Sequence, residues 1–468
     1  MASPISEEIL MGRNTSTERG SFGFIVTAVA MMYLLGIGAI TVTAAALNDG
    51  SSTATTGSTE TKTIEVMLTE FKVEPATINV SPGQKVRLVV ANHGTMAHDL
   101  KVGGTTGTKL LEPGTSQTVM AGPFDASTQA WCTVPGHKEA GMIMNIKVTG
   151  ATDGASGAAT GSAAASKGAT IDPAATPKAD WTPYDPKLAP APGGTVHDVD
   201  MHAIEKEIEV APGVTQKMWT FDGKVPGTIL RGKIGDLFNV KLTNDGSLGH
   251  SIDFHASKVA WSDEMRTIAP GESLVYQFKA DFAGAYMYHC GTAPALHHIG
   301  NGMYGAIIID PPELAPVSHE FVIVQSELYL GANGKEGDLT KMLNQQDDAV
   351  VFNGYYNQYK FAPIRVEPNE RVRVWVIDDG PSENSAFHIV GTIFDTVWKE
   401  GTYLLRPDAR HGGSQVLDLQ PAQGGFVEFS FAETGFYPMV THKFANASRG
   451  ALGLFQAGDA KMPANAGH

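Results

Sequence analysis

The sequence is poor in cysteine and in basic residues, and helical periodicity is scarce. Its 468 residues include 2 cysteines, and Lys and Arg number 34 against 49 Asp and Glu, which gives a formal net charge of -15. A chain this acidic lacks the basic surface that nucleic-acid phosphates demand, so no nucleic-acid partner is expected. What the sequence has instead is 52 glycines and 26 prolines, which favour turn-rich β-structure over a helical bundle.

The N-terminal region lacks charge between Arg19 and Asp49. The apolar stretch 22–47 is long enough to span a bilayer, which takes roughly 20 residues, and longer than the ~7–15-residue core of a signal peptide, the competing interpretation. Positive charges precede the stretch and are scarce after it, which places the bulk of the chain outside the cytoplasm. The prediction is a cytoplasmic tail at 1–21, a membrane anchor at 22–47 and a flexible tether at 48–63.

The remainder of the chain divides by composition. Short β-branched segments separated by turn signals predict a first β-domain over 64–149. A linker over 150–194 is rich first in small residues and then in proline, so it wraps a surface or spaces two modules. After it an internal duplication is visible, because Phe254-His255 is echoed by Phe387-His388. The predicted chain is all-β, with two further β-sandwich domains at 195–312 and 313–460 and a tail at 461–468.

Cysteine, histidine and methionine recur on one short loop of the first domain. Cys132, His137 and Met142 lie close in sequence, and His98 lies upstream after a predicted strand. Two histidines, a cysteine and a weak axial methionine are the ligands of a blue-copper electron-transfer centre. We therefore predict a type 1 copper site here, with Met144 as an alternative axial ligand.

A second loop of the same kind follows in the middle domain. It contains Cys290, His298 and Met303, with His250 upstream, and His297 is expected to be a loop residue rather than a ligand. Since each of the two cysteines has its own metal-ligand spacing, a disulfide between them is rejected. The remaining histidines, such as His197, are expected at the surface.

An additional histidine, His289, directly precedes Cys290. Neighbouring side chains of a strand point to opposite faces, so His289 faces outward if Cys290 faces the core. By the same parity His255 and Asp253 share the outward face. The sequence therefore predicts an outward polar site beside the inward one.

The outward site has two histidines, whereas a catalytic zinc or copper centre usually takes three protein ligands and keeps one position open. The last domain has no cysteine and cannot form a blue-copper site. Its histidines His388 and His442 are both candidates for the missing ligand.

Residues 195–460 resemble the copper-containing nitrite reductase family, and the first domain resembles azurin- and auracyanin-like cupredoxins. The resemblance implies three cupredoxin-like Greek-key β-sandwich domains preceded by one transmembrane helix. The motifs that carry it are His250-Ser251-Ile252-Asp253-Phe254-His255, His289-Cys290 with His298 and Met303, Phe387-His388-Ile389-Val390-Gly391, and His442.

The resemblance also implies the role of each site residue. Asp253 and His388 match the proton-handling pair, and Val390 matches an apolar residue that shapes the nitrite pocket. Ile393 stands where the family often has a second histidine. The implied copper ligands are His250, Cys290, His298 and Met303 for type 1 copper, and His255, His289 and His442 from a neighbouring subunit of a homotrimer for type 2 copper.

The implied activity is the dissimilatory reduction of nitrite to nitric oxide, with two type 1 coppers and one type 2 copper per chain. The first domain would pass electrons to the catalytic core from a donor such as a cytochrome c, another cupredoxin or a membrane quinol chain. One rival is a two-domain multicopper oxidase that reduces oxygen at a trinuclear cluster. Such clusters are held by His-x-His pairs, and this sequence has none. The other rival is a non-catalytic electron relay, which would not need Asp253 and His388.

Overall fold

The computed structural model describes residues 61–149 and 168–462, apart from 70, 95, 135–136, 139–140 and 408–411. The predicted tail, membrane anchor and almost all of the tether lie outside the described residues. The same holds for 150–167 of the linker and for the end of the chain. Within the described ranges, no helix is long and apolar enough to cross a membrane.

The first sheet pair is formed by residues 61–149. Burial alternates along its long strands, because apolar residues such as Val86, Leu88 and Val90 point inward while their neighbours face solvent. A four-stranded sheet in the order β2-β1-β4-β7 faces a five-stranded sheet in the order β3-β9-β8-β5-β6. The strands are β1 Lys62–Thr69, β2 Lys72–Glu74, β3 Thr77–Val80, β4 Gln84–Asn92, β5 Lys101–Val102, β6 Thr106–Gly107, β7 Ser116–Phe124, β8 Thr128–Trp131 and β9 Ile143–Val148.

The middle sheet pair is formed by residues 196–310 and encloses an aromatic core that includes Trp219, Phe254 and Tyr288. Its sheets run β11-β10-β13-β15 and β12-β17-β16-β14. The elements are β10 Val196–Ala211, β11 Val214–Phe221, β12 Leu230–Lys233, β13 Leu237–Asn244, β14 Asp253–Phe254, α1 Trp261–Glu264, β15 Ser273–Lys279, β16 Gly284–His289, α2 Ala295–Gly300 and β17 Tyr304–Asp310.

The last sheet pair is formed by residues 319–457. Its sheets run β19-β18-β21-β26-β23-β24 and β20-β28-β27-β22-β25. The elements are β18 His319–Leu328, α3 Leu339–Leu343, β19 Ala349–Phe352, α4 Gln358–Phe361, β20 Ile364–Val366, β21 Val372–Gly380, β22 Ser385–Ile389, β23 Thr396–Lys399, β24 Thr402–Leu405, β25 Leu417–Leu419, β26 Gly424–Phe429, β27 Gly435–Thr441, α5 Phe444–Ala447 and β28 Leu452–Ala457.

One pattern of strand pairing recurs in all three sheet pairs. In each, two pairs of strands are parallel, namely β1·β4 with β3·β9, β10·β13 with β12·β17, and β18·β21 with β20·β28. The other ladders are antiparallel. The predicted all-β, cupredoxin-like character is therefore confirmed.

The described part of the linker lies along the last sheet pair. The backbone N–H of Val322 donates to the carbonyl of Pro186 at 2.8 Å, and that of Leu188 donates to Glu320 at 3.0 Å. Upstream, the rings of Trp181 and Tyr355 pack 4.9 Å apart. Residues 168–194 thus lie along the surface of the last sheet pair, where backbone hydrogen bonds and aromatic packing hold them.

An apolar cluster and an ion network join the middle and last sheet pairs. Arg373 is 1% exposed, and its guanidinium donates to Glu320 at 2.7 Å and to Glu428 at 2.7 Å. Arg231 completes the network, because it donates to Glu320 at 2.9 Å and to Asp310 at 2.9 Å. Burial alone would raise the pKa of Glu320, but the two arginines outweigh it and lower that pKa.

We expect Arg373→Met to destabilise the core by about 1–3 kcal/mol, because it removes the buried hydrogen bonds to Glu320 and Glu428 and leaves each carboxylate with one arginine, Arg231 or Arg371. Denaturant unfolding measures the change. The matched control is Arg365→Met, which removes an exposed arginine of the same sheet pair and should shift stability by less than about 0.5 kcal/mol. Equal unfolding midpoints for the two variants would show that the network contributes nothing.

Candidate copper centres

The first sheet pair brings its predicted ligands together at one end. The Nδ1 atoms of His98 and His137 lie 3.1 Å apart, and the sulfur of Cys132 lies 3.4 Å from Nδ1 of His137. All three side chains are fully buried. The backbone N–H of Cys132 donates to the carbonyl of Met142, whereas Met144 pairs with Ala130 further along β9. This placement supports Met142 over Met144 as the axial ligand.

The middle sheet pair repeats this arrangement. The Nδ1 atoms of His250 and His298 lie 3.3 Å apart, and the sulfur of Cys290 lies 3.3 Å from Nδ1 of His298. The same backbone bond recurs, from the N–H of Cys290 to the carbonyl of Met303 at 3.1 Å. Two independent parts of the chain therefore build the same donor set of two imidazoles and one thiol.

The protonation of these donors fits a metal ligand set. Burial lowers the pKa of His298 to about 3, so its imidazole is neutral and offers a lone pair. Burial raises the pKa of Cys132 to about 12, so a cation is needed to hold it as a thiolate. At Cys290 burial also opposes ionisation, but hydrogen bonding with His250 and its charge outweigh that effect and lower the pKa. A thiolate with two imidazoles is a donor set that suits copper.

A third group of donors lies on the outer side of the middle sheet pair. Asp253 on β14 pairs directly with His289 on β16, and His289 Nε2 lies 3.8 Å from Asp253 Oδ2. His255 Nε2 lies 3.0 Å from His289 Nε2. Partial loss of solvent around the His255 ring lowers its pKa and the neighbouring His289 lowers it further, which together outweigh the raising effect of Asp253 and favour the neutral imidazole.

His289 is oriented by its own backbone neighbour. Its Nδ1 lies 3.0 Å from the carbonyl oxygen of Cys290, which can only accept, so Nδ1 carries the proton. That tautomer leaves the lone pair of Nε2 directed at His255 and Asp253. Metal-binding histidines usually donate their other ring N–H to a carbonyl or carboxylate in this way. The predicted parity is confirmed, because Cys290 is fully buried while His289 points outward.

His388 and His442 lie together on the last sheet pair. Their rings are 5.5 Å apart, Nδ1 of His388 donates to the carbonyl of Gln415 at 2.5 Å, and the exposed Val390 directly follows the end of β22, the strand of His388. Among the described residues, three groups of His, Cys, Asp or Glu place their donor atoms within 4.8 Å of one another. Neither His388 nor His442 joins the Asp253 group of its own chain.

Comparisons with known proteins bear on the identity of these sites. A family profile described as multicopper oxidase matches residues 203–314. A protein named copper-containing nitrite reductase from Neisseria meningitidis serogroup A is 37% identical over 277 residues, which cover 57% of this chain and 70% of that protein. The chain belongs to the copper-containing nitrite reductase family. The predicted enzyme class is thereby confirmed.

Solved structures of two kinds of copper protein resemble this part of the chain. A copper nitrite reductase from Nitrosomonas europaea is similar with a TM-score of 0.52 at 32% identity, covering 57% of this chain and 95% of that one. A multicopper oxidase is similar with a TM-score of 0.50 at 29% identity, covering 56% of this chain and 89% of that one. The likeness covers little more than half of the chain.

The structure corrects the alignment of the duplicated motifs. The backbone N–H of Ser251 points to the sulfur of Cys290 at 3.4 Å, and the N–H of Ala386 donates to the hydroxyl of Thr441 at 2.9 Å. Ser251 and Ala386 are therefore equivalent. The echo of Phe254-His255 in Phe387-His388 is two residues out of register, because it matched side-chain types rather than backbone positions. In the correct register Asp253 corresponds to His388, and His255 to Val390.

Two histidines and a tryptophan lie where the sequence did not predict them. His197 is not at the surface but buried against Asp236 at 2.7 Å. His297 lies on α2, is 4% exposed and packs 4.6 Å from the ring of Trp219, which also lies 4.7 Å from His298. Trp219 comes from a distant strand, so no local motif reveals it.

Two asparagines hold the loops that carry the upstream histidines. Asn92 donates to the carbonyls of Met96 at 2.6 Å and Leu111 at 2.7 Å, and Asn244 donates to those of Leu248 at 2.7 Å and Ile268 at 2.9 Å. These two residues stand at the same spacing before His98 and His250, and that spacing was a signal the sequence did contain.

Proposed function

We propose that this chain reduces nitrite to nitric oxide and water, with one electron and two protons, at a type 2 copper held by His255, His289 and His442 of a neighbouring subunit. The observation that carries the proposal is the adjacency of two donor groups. His289 belongs to the outward group and Cys290 to the buried group, and one peptide unit joins them. An electron received at the buried group thus has a short covalent path to the outward one.

The residues around the outward group suit proton transfer to an anion. Copper, when bound there, supplies a Lewis acid and one-electron chemistry. Asp253 stands beside the histidines without being needed as a ligand, so its carboxyl group can hydrogen-bond to a nitrite oxygen and deliver a proton. His388 and Val390 would come from the neighbouring subunit, because His388 lies beside His442. His388 delivers the second proton through Nε2, while its Nδ1 is fixed by Gln415. Val390 restricts the space beside the substrate.

The third ligand supports a homotrimer. The Asp253 group of one chain contains two histidines, and His442 lies on another surface of the same chain. A head-to-tail ring of three copies would bring each His442 to the histidine pair of its neighbour and close the assembly. Each copy then contributes to two sites.

The first sheet pair is proposed as a fused electron donor, which makes the chain a three-domain protein with two type 1 coppers and one type 2 copper. Its donor group of His98, Cys132 and His137 matches that of the middle sheet pair. Covalent linkage gives such a module a millimolar effective concentration at its partner. The proposed anchor at 22–47 would hold the assembly at the extracytoplasmic side of a membrane, where a cytochrome c, a cupredoxin or a quinol chain could reduce it.

We expect Cys132→Ser to remove one blue-copper signal and to leave nitrite turnover with a small-molecule electron donor unchanged. Turnover with the physiological donor should fall, because the relay is broken. The matched control is Cys290→Ser, which should abolish turnover with both donors. If Cys132→Ser also stops turnover with the small-molecule donor, the relay role is wrong.

Copper analysis with EPR spectroscopy tests the proposed function against oxygen reduction. The expected result is three coppers per chain, two with type 1 and one with type 2 spectra, and nitric oxide production from nitrite. An oxidase would need a trinuclear cluster, and the described residues hold one outward donor group, with two histidines. Oxygen consumption without nitrite turnover would favour the oxidase.

A further inference from the structure

The loop after the penultimate strand is built alike in all three sheet pairs. In the middle sheet pair the N–H of Met303 donates to the carbonyl of His298 at 3.0 Å, and Cys290 donates to Met303 at 3.1 Å. The first sheet pair has the same two bonds between Met142 and His137 and between Cys132 and Met142. These bonds define a loop that presents cysteine, histidine and methionine to one point.

The last sheet pair retains that loop without its ligands. The N–H of Ala451 donates to the carbonyl of Asn446 at 3.1 Å, and that of Thr441 donates to Ala451 at 3.3 Å. Thr441, Asn446 and Ala451 therefore stand where cysteine, histidine and methionine stand in the other loops, and all three are fully buried. With no thiolate and no imidazole, this loop lacks the donors of a blue-copper site.

Glu383 holds this loop in place of a metal. Its carboxylate accepts from the side-chain amide of Asn446 at 2.8 Å and from the ammonium of Lys443. The side chain of Glu383 is 15% exposed. Burial disfavours its charge, but the bonds from Asn446 and Lys443 outweigh that and lower its pKa, so it is ionised at neutral pH.

The loop that carries Glu383 is itself anchored in the core. The N–H groups of Ser382 and Glu383 both donate to the carboxyl group of Glu327, at 2.9 and 2.8 Å. Glu327 is 2% exposed and lies on β18. Arg449 also donates to Asn446, at 2.7 Å from the amide oxygen. A continuous chain of polar contacts thus runs from the core strand β18 to Asn446.

His442 is the first residue of the loop that Glu383 holds through Lys443 and Asn446. It follows Thr441, its N–H donates to the carbonyl of Ala386 at 2.7 Å, and Lys443 follows it directly. We propose that Glu383 is a positioning residue for His442, substituting for the copper ion that fixes the equivalent loops and so presenting His442 as a ligand to the neighbouring subunit. This inference rests on the proposed function, in which His442 completes the type 2 site.

The two contacts that Glu383 makes with this loop, to Lys443 and to Asn446, differ in strength. Lys443 is 43% exposed, and an ion pair that solvent reaches contributes little. Asn446 is fully buried, and its hydrogen bond to a carboxylate is of the stronger, charge-assisted kind. The contact with Asn446 therefore does most of the positioning. Lys443→Met should weaken type 2 copper binding far less than a change at Glu383.

The test is a titration of the copper-free full-length chain with copper, read by EPR. Removing a residue that orients a metal ligand typically weakens metal binding about 10–100-fold, so we expect Glu383→Ala to weaken type 2 copper binding in that range and to alter the type 2 hyperfine pattern. Glu383→Gln keeps one acceptor for Asn446 and should give a smaller loss. Both type 1 signals should remain.

The matched control is Glu370→Ala. Glu370 lies just before β21 and pairs with His319 at 2.6 Å, whereas Glu383 lies just after β21. Both are glutamates at the ends of the same strand, but Glu370 pairs with a residue outside the His442 loop. A second measurement needs no metal, since hydrogen exchange at the amides of Asn446 and Ala451 should rise in copper-free Glu383→Ala and stay unchanged in Glu370→Ala.

The outcomes separate the inference from the function on which it rests. If Glu383→Ala and Glu383→Gln bind type 2 copper with wild-type affinity and spectrum, the positioning role is overturned although nitrite reduction stands. If Glu383→Ala does not fold, copper binding and hydrogen exchange measured on Glu383→Gln decide in its place. If the wild-type chain binds no type 2 copper, the proposed function fails and the inference fails with it.

Discussion

Asp253→Asn should lower nitrite turnover about 10²–10⁴-fold, the range that general acid–base assistance typically supplies. Asparagine keeps the size and polarity of aspartate but cannot carry a proton at neutral pH. Asp253 pairs with His289 across the β14–β16 ladder, so the substitution leaves the backbone and both histidines in place. The type 2 copper and the blue colour should therefore be retained.

Two controls make this result interpretable. Copper occupancy is measured in the same samples, because metal loss would imitate a catalytic defect. Asp263→Asn, at an exposed aspartate on α1 of the same sheet pair, should leave turnover unchanged. His388→Ala should also slow turnover and flatten the pH–rate profile. If Asp253→Asn reduces nitrite at the wild-type rate with full copper, Asp253 is not the proton donor, and the relay interpretation gains support.

The ligand groups could be predicted because they depend on local rules. Strand parity separates His289 from Cys290 whatever the rest of the fold does, and the structure places one outward and one in the core. The short loops from Cys132 to Met142 and from Cys290 to Met303 likewise carry their own geometry, since two backbone hydrogen bonds close each loop. Strand parity and these short loops therefore predict the ligand positions even where the bounds of the surrounding strands are predicted wrongly.

What the sequence did not reveal depends on long-range contacts. Glu383 reaches Asn446, and Arg373 joins Glu320 to Glu428, across distances along the chain that no motif spans. The register error at Phe387-His388 has the same origin. An aromatic–histidine pair looks alike in both copies, and only the hydrogen bond from Ala386 to Thr441 shows which positions correspond.

His442→Ala should abolish nitrite turnover and remove the type 2 copper while both type 1 signals stay. A site with two histidines that loses its third protein ligand no longer has the three that a catalytic copper usually requires. The variant should still assemble as a trimer by light scattering, because His442 is an exposed residue at the end of β27. EPR and metal analysis on the same sample measure the loss.

Mixed trimers distinguish a shared site from one within a single chain. Neither His442→Ala nor His289→Ala can form an intact site alone. In trimers that contain both variants, a His442→Ala chain still offers His255 and His289, and a neighbouring His289→Ala chain still offers His442. If the two chains mix at random in a head-to-tail ring, about a quarter of the sites regain all three ligands, and turnover and type 2 copper should return to that fraction. A site built within one chain would recover nothing, and a monomer with full type 2 occupancy would refute the sharing of His442 outright.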